Sequence, residues 1–297
     1  MPRIPNTSEA TSVVARRRWS NRWRHLPRPA AAAERLSESG RQVARSGGIA
    51  LWRRLLAEYL GSLLLAAVVI GSGIAAQTLS PGNVGLQLFE NAAATAAGLY
   101  AIILMFGPVS GAHFNPVVSF VDAGFGGISW RHASAYLPVQ VAGCVSGAVL
   151  ANLMYAKPAI SISTHLRASP AHFLSEVVAT TGLILVIFAL ARTGRSHIAP
   201  AAVGAYIGAA YYFTSSTSFA NPAIAVGRMF SDSFAGIAPA SVPTFVVAEG
   251  LGGVLAYVLV KALYPGVTKS QAATVVLPHH ELATDPESPK AFQQGTT

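Results

Sequence analysis

The stretch TSSTSFANPAIAVGRMF (214–230) decides how this chain is read. It puts Asn221 beside Pro222 inside a region otherwise apolar enough for membrane-buried helix. A second stretch, SGAHFNPVVSF (110–120), does the same at Asn115 and Pro116. Asn is a favoured N-cap and Pro is favoured at the first helical position. Each pair therefore predicts a helix that starts at membrane depth. The runs that follow, VVSFVDAGF (117–125) and AIAVGRMF (223–230), are too short to span and long enough for half a span. The Asn side-chain oxygen would accept from the helix's own N–H groups, leaving the amide NH₂ to donate. Backbone broken at this depth is stable only where protein or a water-filled cavity satisfies it. Two such N-termini, each carrying roughly +0.5 charge, would disfavour cations and hold a passing neutral oxygen.

Composition agrees with a membrane setting. Hydrophobic residues make up 52% and charged residues 11% of the chain, against about 25% charged in soluble domains. The net charge of +9 is local: residues 1–54 hold twelve Arg and three Glu, and the remainder is neutral. No folded domain surrounds these basic residues, so the charge gives no support for a nucleic-acid partner. Residues 1–50 read as a disordered Arg-rich cytoplasmic tail and 267–297 as a disordered C-terminal tail that includes His279 and His280. Cys144 stands alone in an apolar run, which leaves it a packing role.

A membrane span needs roughly 20 mostly apolar residues. Six segments come near that: 55–77, 88–107, 134–156, 172–191, 198–214 and 242–263, the fifth being short. An even number of spans puts both termini on one side. Arg131, Arg192, Arg195, Lys261 and Lys269 fall on that side with the N-terminal tail, while Lys157, Arg167 and Arg228 fall opposite. The positive-inside rule then makes the termini cytoplasmic.

The halves of the chain echo each other. AEYLGSLLLAAVVIGSG (57–73) parallels SEVVATTGLILVIFALA (175–191), matching Glu58 to Glu176; Gln140 matches Glu249, and Asn115-Pro116 matches Asn221-Pro222. Three spans per unit invert the second copy in the membrane, so repeats at 51–157 and 171–266 form one channel domain, 51–266. Inverted repeats of this kind build channels and secondary transporters.

With these motifs together, the chain resembles the aquaporin, or major intrinsic protein, family. The likeness is carried by AEYLG (57–61), SGAHFNPVVS (110–119), VQVAG (139–143), AEGLGG (248–253) and SFANPA (218–223). It implies an all-α membrane protein: a right-handed bundle of six transmembrane helices and two re-entrant half-helices. It also implies a pore in each subunit of a homotetramer, membrane lipid as surroundings, and a bacterial inner-membrane location. Glu58 and Glu176 become buried acceptors for backbone N–H groups of the re-entrant loops, with Gln140 and Glu249 beside them. His113 and Arg228 are candidates for the pore mouths.

The chain departs from the family pattern twice. Val117 replaces the Ala of the first Asn-Pro-Ala, whereas Ala223 keeps it in the second. The extra methyls of Val117 are expected to narrow or dry the midplane slightly. Ile224 stands where most of the family has the filter Arg. Arg228, one turn on, either reaches back toward the pore or, the reading the sequence favours, snorkels to the outer interface. Distance from the motifs puts Thr95, Tyr211 (with Ala209 as alternative), Ser218 and Ile224 in the filter. Such a ring is expected to be wider and less charged than one containing Arg, passing water, glycerol and other polyols, urea and neutral arsenous acid. The segment from YYFTSSTSFANPA to MFSDSFAGIAP also resembles bacterial members of the family from arsenic-resistance settings.

Two other readings compete. Buried Glu residues are functional hypotheses by default, so Glu58, Glu176 or Glu249 could serve a proton- or ion-coupled secondary transporter. An occluded pore would make the chain a non-conducting membrane scaffold. No nucleophile–base pair or metal-ligand spacing is present, so the reading contains no catalytic residue, cofactor or metal, and the protein is not an enzyme.

Overall fold

Asn115 and Asn221 both begin helices, as their pairing with Pro predicts. The computed structural model describes residues 49–265; the tail readings for the segments before and after, including His279 and His280, lie outside this range. In chain order the helices are α1 (Leu51–Leu79), α2 (Val84–Ser110), α3 (Pro116–Phe125), α4 (Trp130–Met154), α5 (Pro170–Arg192), α6 (Ala199–Phe213), α7 (Pro222–Gly227) and α8 (Val242–Leu263). Among the described residues all regular structure is helical.

Several helices begin earlier than hydropathy alone suggests, because polar caps extend them. Asn83 accepts from the Leu86 N–H at the start of α2, and Ser129 accepts from the His132 N–H at the start of α4. Ser169 and His172 form a reciprocal capping box at α5. Five helices are long and apolar enough to cross a membrane. The sixth span, α6, has only 15 residues, or about 22 Å of rise. The 3₁₀ turn Ser196–Ile198 leads directly into it and adds about 6 Å, bringing the span close to the ~30 Å hydrocarbon core.

The two repeats pack alike. α1 lies against α2 and α4, α5 lies against α6 and α8, and α2 meets α6 between the halves. The half-helices α3 and α7 each touch α4 and α8, and they touch each other. Close approach of the long helices depends on small residues, as is usual without a hydrophobic driving force in lipid. A Cβ at Gly147 would lie 2.2 Å from the Leu63 carbonyl oxygen, and one at Gly252 would lie 2.7 Å from that of Val177. These positions hold α4 on α1 and α8 on α5.

Candidate functional site

Where α3 and α7 meet, their caps interlock. Asn115 Oδ1 accepts from the Val117 N–H at 2.9 Å; Asn221 Oδ1 accepts from the N–H groups of Ala223 (3.0 Å) and Ile224 (3.4 Å). The amide nitrogens then cross between repeats. Asn115 Nδ2 donates to the Ala220 carbonyl and Asn221 Nδ2 donates to the Phe114 carbonyl, both at 2.7 Å. The sequence reading left both NH₂ groups free for a solute. Instead each amide commits one hydrogen to the opposite loop and keeps the other.

The loops that deliver these carbonyls run in left-handed backbone. Ala112 and Phe114 have φ of 51° and 50°, and Ser218 and Ala220 have φ of 49° and 48°. The four positions match between repeats, standing three and one residues before each Asn. Left-handed conformation at non-glycine residues costs about 1–3 kcal/mol each, so the loops need strong anchors. Glu58 supplies one. Its carboxylate accepts from the backbone N–H groups of His113 (3.0 Å) and Phe114 (2.7 Å), from Ser110 Oγ (2.6 Å) and from Gln140 Nε2 (2.8 Å). Glu176 repeats this with the N–H groups of Phe219 (2.9 Å) and Ala220 (2.7 Å). Glu249 accepts from the Asn221 N–H at 3.0 Å. Gln140 also donates to Ser119 Oγ at 3.1 Å. All four side chains are buried.

The facing loops border a cavity of about 60 Å³. At 10–15 Å³ per water this holds on the order of four molecules. Asn115, Asn221, His113, Thr95, Tyr211, Ser218, Ile224 and Arg228 all line it, within an apolar wall. Thr95 and Tyr211 join hydroxyls at 3.1 Å. Tyr211 rather than Ala209 faces inward; Ala209 is exposed on the outer side of α6. His113 is fixed by Ser119 Oγ at 3.0 Å and by Asp122, 3.4 Å from its Nε2.

Two expectations from the sequence are corrected here. Val117 does not narrow the midplane: it faces α8, where a Cβ at Gly253 would lie 2.4 Å from its Cγ1. It is absent from the cavity wall and borders an outer groove with Phe120 and Trp130. Arg228 does not snorkel outward; it is 2% exposed and lies in the wall of the cavity. A guanidinium therefore lines the cavity together with Thr95, Tyr211, Ser218 and Ile224.

Sequence reasoning missed Phe219, Asp122 and Arg167. Arg167 was counted as a loop charge, yet it is partly buried and donates to the carbonyls of Ser216, Phe234 and Gly236. Burial draws its pKa below the ordinary guanidinium value. No local signal marks it, because its partners are 49 to 69 residues away.

A helical membrane protein with two capped half-helices meeting at a central cavity defines the class, and comparison with known proteins agrees. The profile of the Major intrinsic protein family matches residues 47–220. The chain belongs to that family. It is 48% identical over 213 residues to Aquaglyceroporin AqpS of Rhizobium meliloti (strain 1021), covering 72% of this chain and 91% of that protein. It is 33% identical over 180 residues to Aquaporin NIP1-4 of Oryza sativa subsp. japonica, covering 58% and 64%. The X-ray structure of the aquaglyceroporin from Plasmodium falciparum superposes with a TM-score of 0.56 at 20% identity, covering 73% of this chain and 98% of that one. At that identity the likeness is one of fold.

Proposed function

We propose that the protein is a passive transmembrane channel for water and small uncharged solutes, and not an enzyme. Glycerol is the first solute, because the relative matched over nine-tenths of its length is an aquaglyceroporin. Other polyols, urea and arsenous acid share its charge and approximate size. The observation that carries the reading is the reciprocal Asn115–Ala220 and Asn221–Phe114 pair of hydrogen bonds beside the cavity. Each Asn offers a remaining N–H to a passing oxygen. Ser218 Oγ, which has no partner among the described residues, offers a hydroxyl. The apolar wall gives the solute few other places to bind, so passage is fast and unsaturated. Thr95, Tyr211, Ser218 and Ile224 form the selectivity ring in this account, and His113 shapes the opposite mouth.

A coupled transporter working through Glu58 or Glu176 is disfavoured by how these two acids are used. Glu58 accepts four hydrogen bonds, which fills its acceptor capacity, and Glu176 is engaged with two loop N–H groups. Neither is free to carry a proton. The proposal also includes a homotetramer with one pore per subunit, in a bacterial inner membrane, with both termini cytoplasmic. Burial of Arg167 and Arg228 strengthens that orientation, since neither then acts as a free outside charge under the positive-inside rule.

Reconstituted vesicles shrunk with glycerol test the function. Reswelling as glycerol enters, unaltered by a proton ionophore, is the expected result. Glycerol uptake that stops when the proton gradient is removed would contradict it.

A further inference from the structure

We propose that Arg228 supplies the fixed positive charge of this pore, from one turn beyond Ile224, and so excludes cations and limits solute size. The inference rests on the channel reading above and names the residue that sets its specificity.

Three contacts place the guanidinium. Helix α7 ends after six residues, and the chain tightens at Arg228 into the 3₁₀ turn Arg228–Phe230. Gly227 lets this turn lie against α4, where a Cβ would sit 2.8 Å from the Cys144 carbonyl oxygen. From there the Arg228 guanidinium carbon lies 3.5 Å from the centre of the Phe219 ring, a close cation–π contact. Its Nε donates to the Ala235 carbonyl. Neither Nη has a protein hydrogen-bond partner among the described residues, and the residue lines the cavity with Thr95 and Tyr211.

Arg167 is the positioning residue for this arrangement. Its guanidinium carbon is 5.5 Å from the same Phe219 ring, and its bonds to Ser216, Phe234 and Gly236 tie together the two chain segments that carry Phe219 and Ala235. The nearby carboxylates act on Arg228 through space but do not pair with it. Glu176 and Glu249 are bonded to the N–H groups of Phe219, Ala220 and Asn221, and Arg228 makes no ion pair among the described residues. A guanidinium stays protonated in proteins. An unpaired guanidinium in an apolar passage repels a cation more strongly than it would in water, while its free N–H groups bind a neutral oxygen. The charge that Ile224 lacks is thus returned by a side chain rooted elsewhere on the same strand of chain.

Proteoliposomes carrying the full chain test this with water, glycerol and potassium fluxes measured side by side. Arg228→Ala is expected to raise the glycerol-to-water permeability ratio several-fold and open a potassium leak that wild type lacks. Adding Ile224→Arg to Arg228→Ala should close the leak again. An unchanged ratio with no leak, in a variant that still conducts water, overturns the proposal. If Arg228→Ala does not give a monodisperse protein, Arg228→Gln keeps much of the shape and removes the charge; a leak then supports the proposal and its absence overturns it. Wild type impermeable to water and glycerol would bring down the channel reading itself, a result distinct from any change between variants.

Discussion

Asn115 and Asn221 hold each other's loops: the amide of each donates at 2.7 Å to the carbonyl one residue before the other. The bond runs between repeats separated by more than a hundred residues. It fixes the two half-helix starts in one place, and the side chains that fix them are those left facing the cavity.

Replacing Asn115 or Asn221 with Asp separates cap from cross-loop bond. A carboxylate still caps its helix but cannot donate to Ala220 or Phe114. Asn221→Asp should destabilise the folded protein by about 1–3 kcal/mol through the unpaired buried carbonyl. It should also reduce water permeability. Thermal unfolding in detergent and stopped-flow shrinkage of vesicles check the two effects.

Removing a loop anchor should be worse. Glu58→Ala leaves the N–H groups of His113 and Phe114, Ser110 Oγ and Gln140 Nε2 without their acceptor. Each buried group left unpaired costs about 1–3 kcal/mol. We expect no monodisperse protein from Glu58→Ala and partial recovery from Glu58→Gln, read by size-exclusion chromatography.

Val117→Ala should leave permeability unchanged, because its methyls meet Gly253 rather than the cavity. The stability cost of the vacated space is about 1–3 kcal/mol, since two buried methyls are removed at about 0.5–1.5 kcal/mol each. A marked rise in water flux would show that Val117 faces the pore.

Ile224→Arg in the wild-type background places a second guanidinium beside Arg228. Glycerol flux should fall more than water flux, since the bulkier solute needs the width that is lost. Equal effects on both solutes would remove Ile224 from the constriction.

Helix packing has its own control. Gly147→Ala sets a Cβ 2.2 Å from the Leu63 carbonyl oxygen, and overpacking of this kind costs about 1–3 kcal/mol. Gly250→Ala meets nothing within 4 Å and should stabilise α8 by up to about 1 kcal/mol through helix propensity. Opposite shifts in melting temperature are the expected result.

Much of this was legible in the sequence because it depends on local rules. Capping and Pro placement mark α3 and α7, hydropathy marks the spans, and pairing Glu58 with Glu176 follows from the echo between halves. Distance from the motifs picked out Thr95, Tyr211, Ser218 and Ile224, and all four line the cavity; their place in a selectivity ring is part of the proposal. The direction of Val117 was not legible, because it depends on a glycine 136 positions away on α8. Arg228 was misread because nothing local shows that the Phe219 ring and the Ala235 carbonyl hold its head in the cavity wall rather than at the interface. Arg167 escaped because a loop charge and a loop fastener look alike until the distant carbonyls are in place.

The central claim is a passive pore at the meeting of Asn115 and Asn221. It is tested most directly by the rate and temperature dependence of water and glycerol movement across vesicles reconstituted with the full chain. The account predicts rates well above those of empty vesicles, weakly dependent on temperature, linear in gradient and indifferent to pH gradients. Rates equal to those of empty vesicles, or saturable uptake that collapses with the proton gradient, would contradict it.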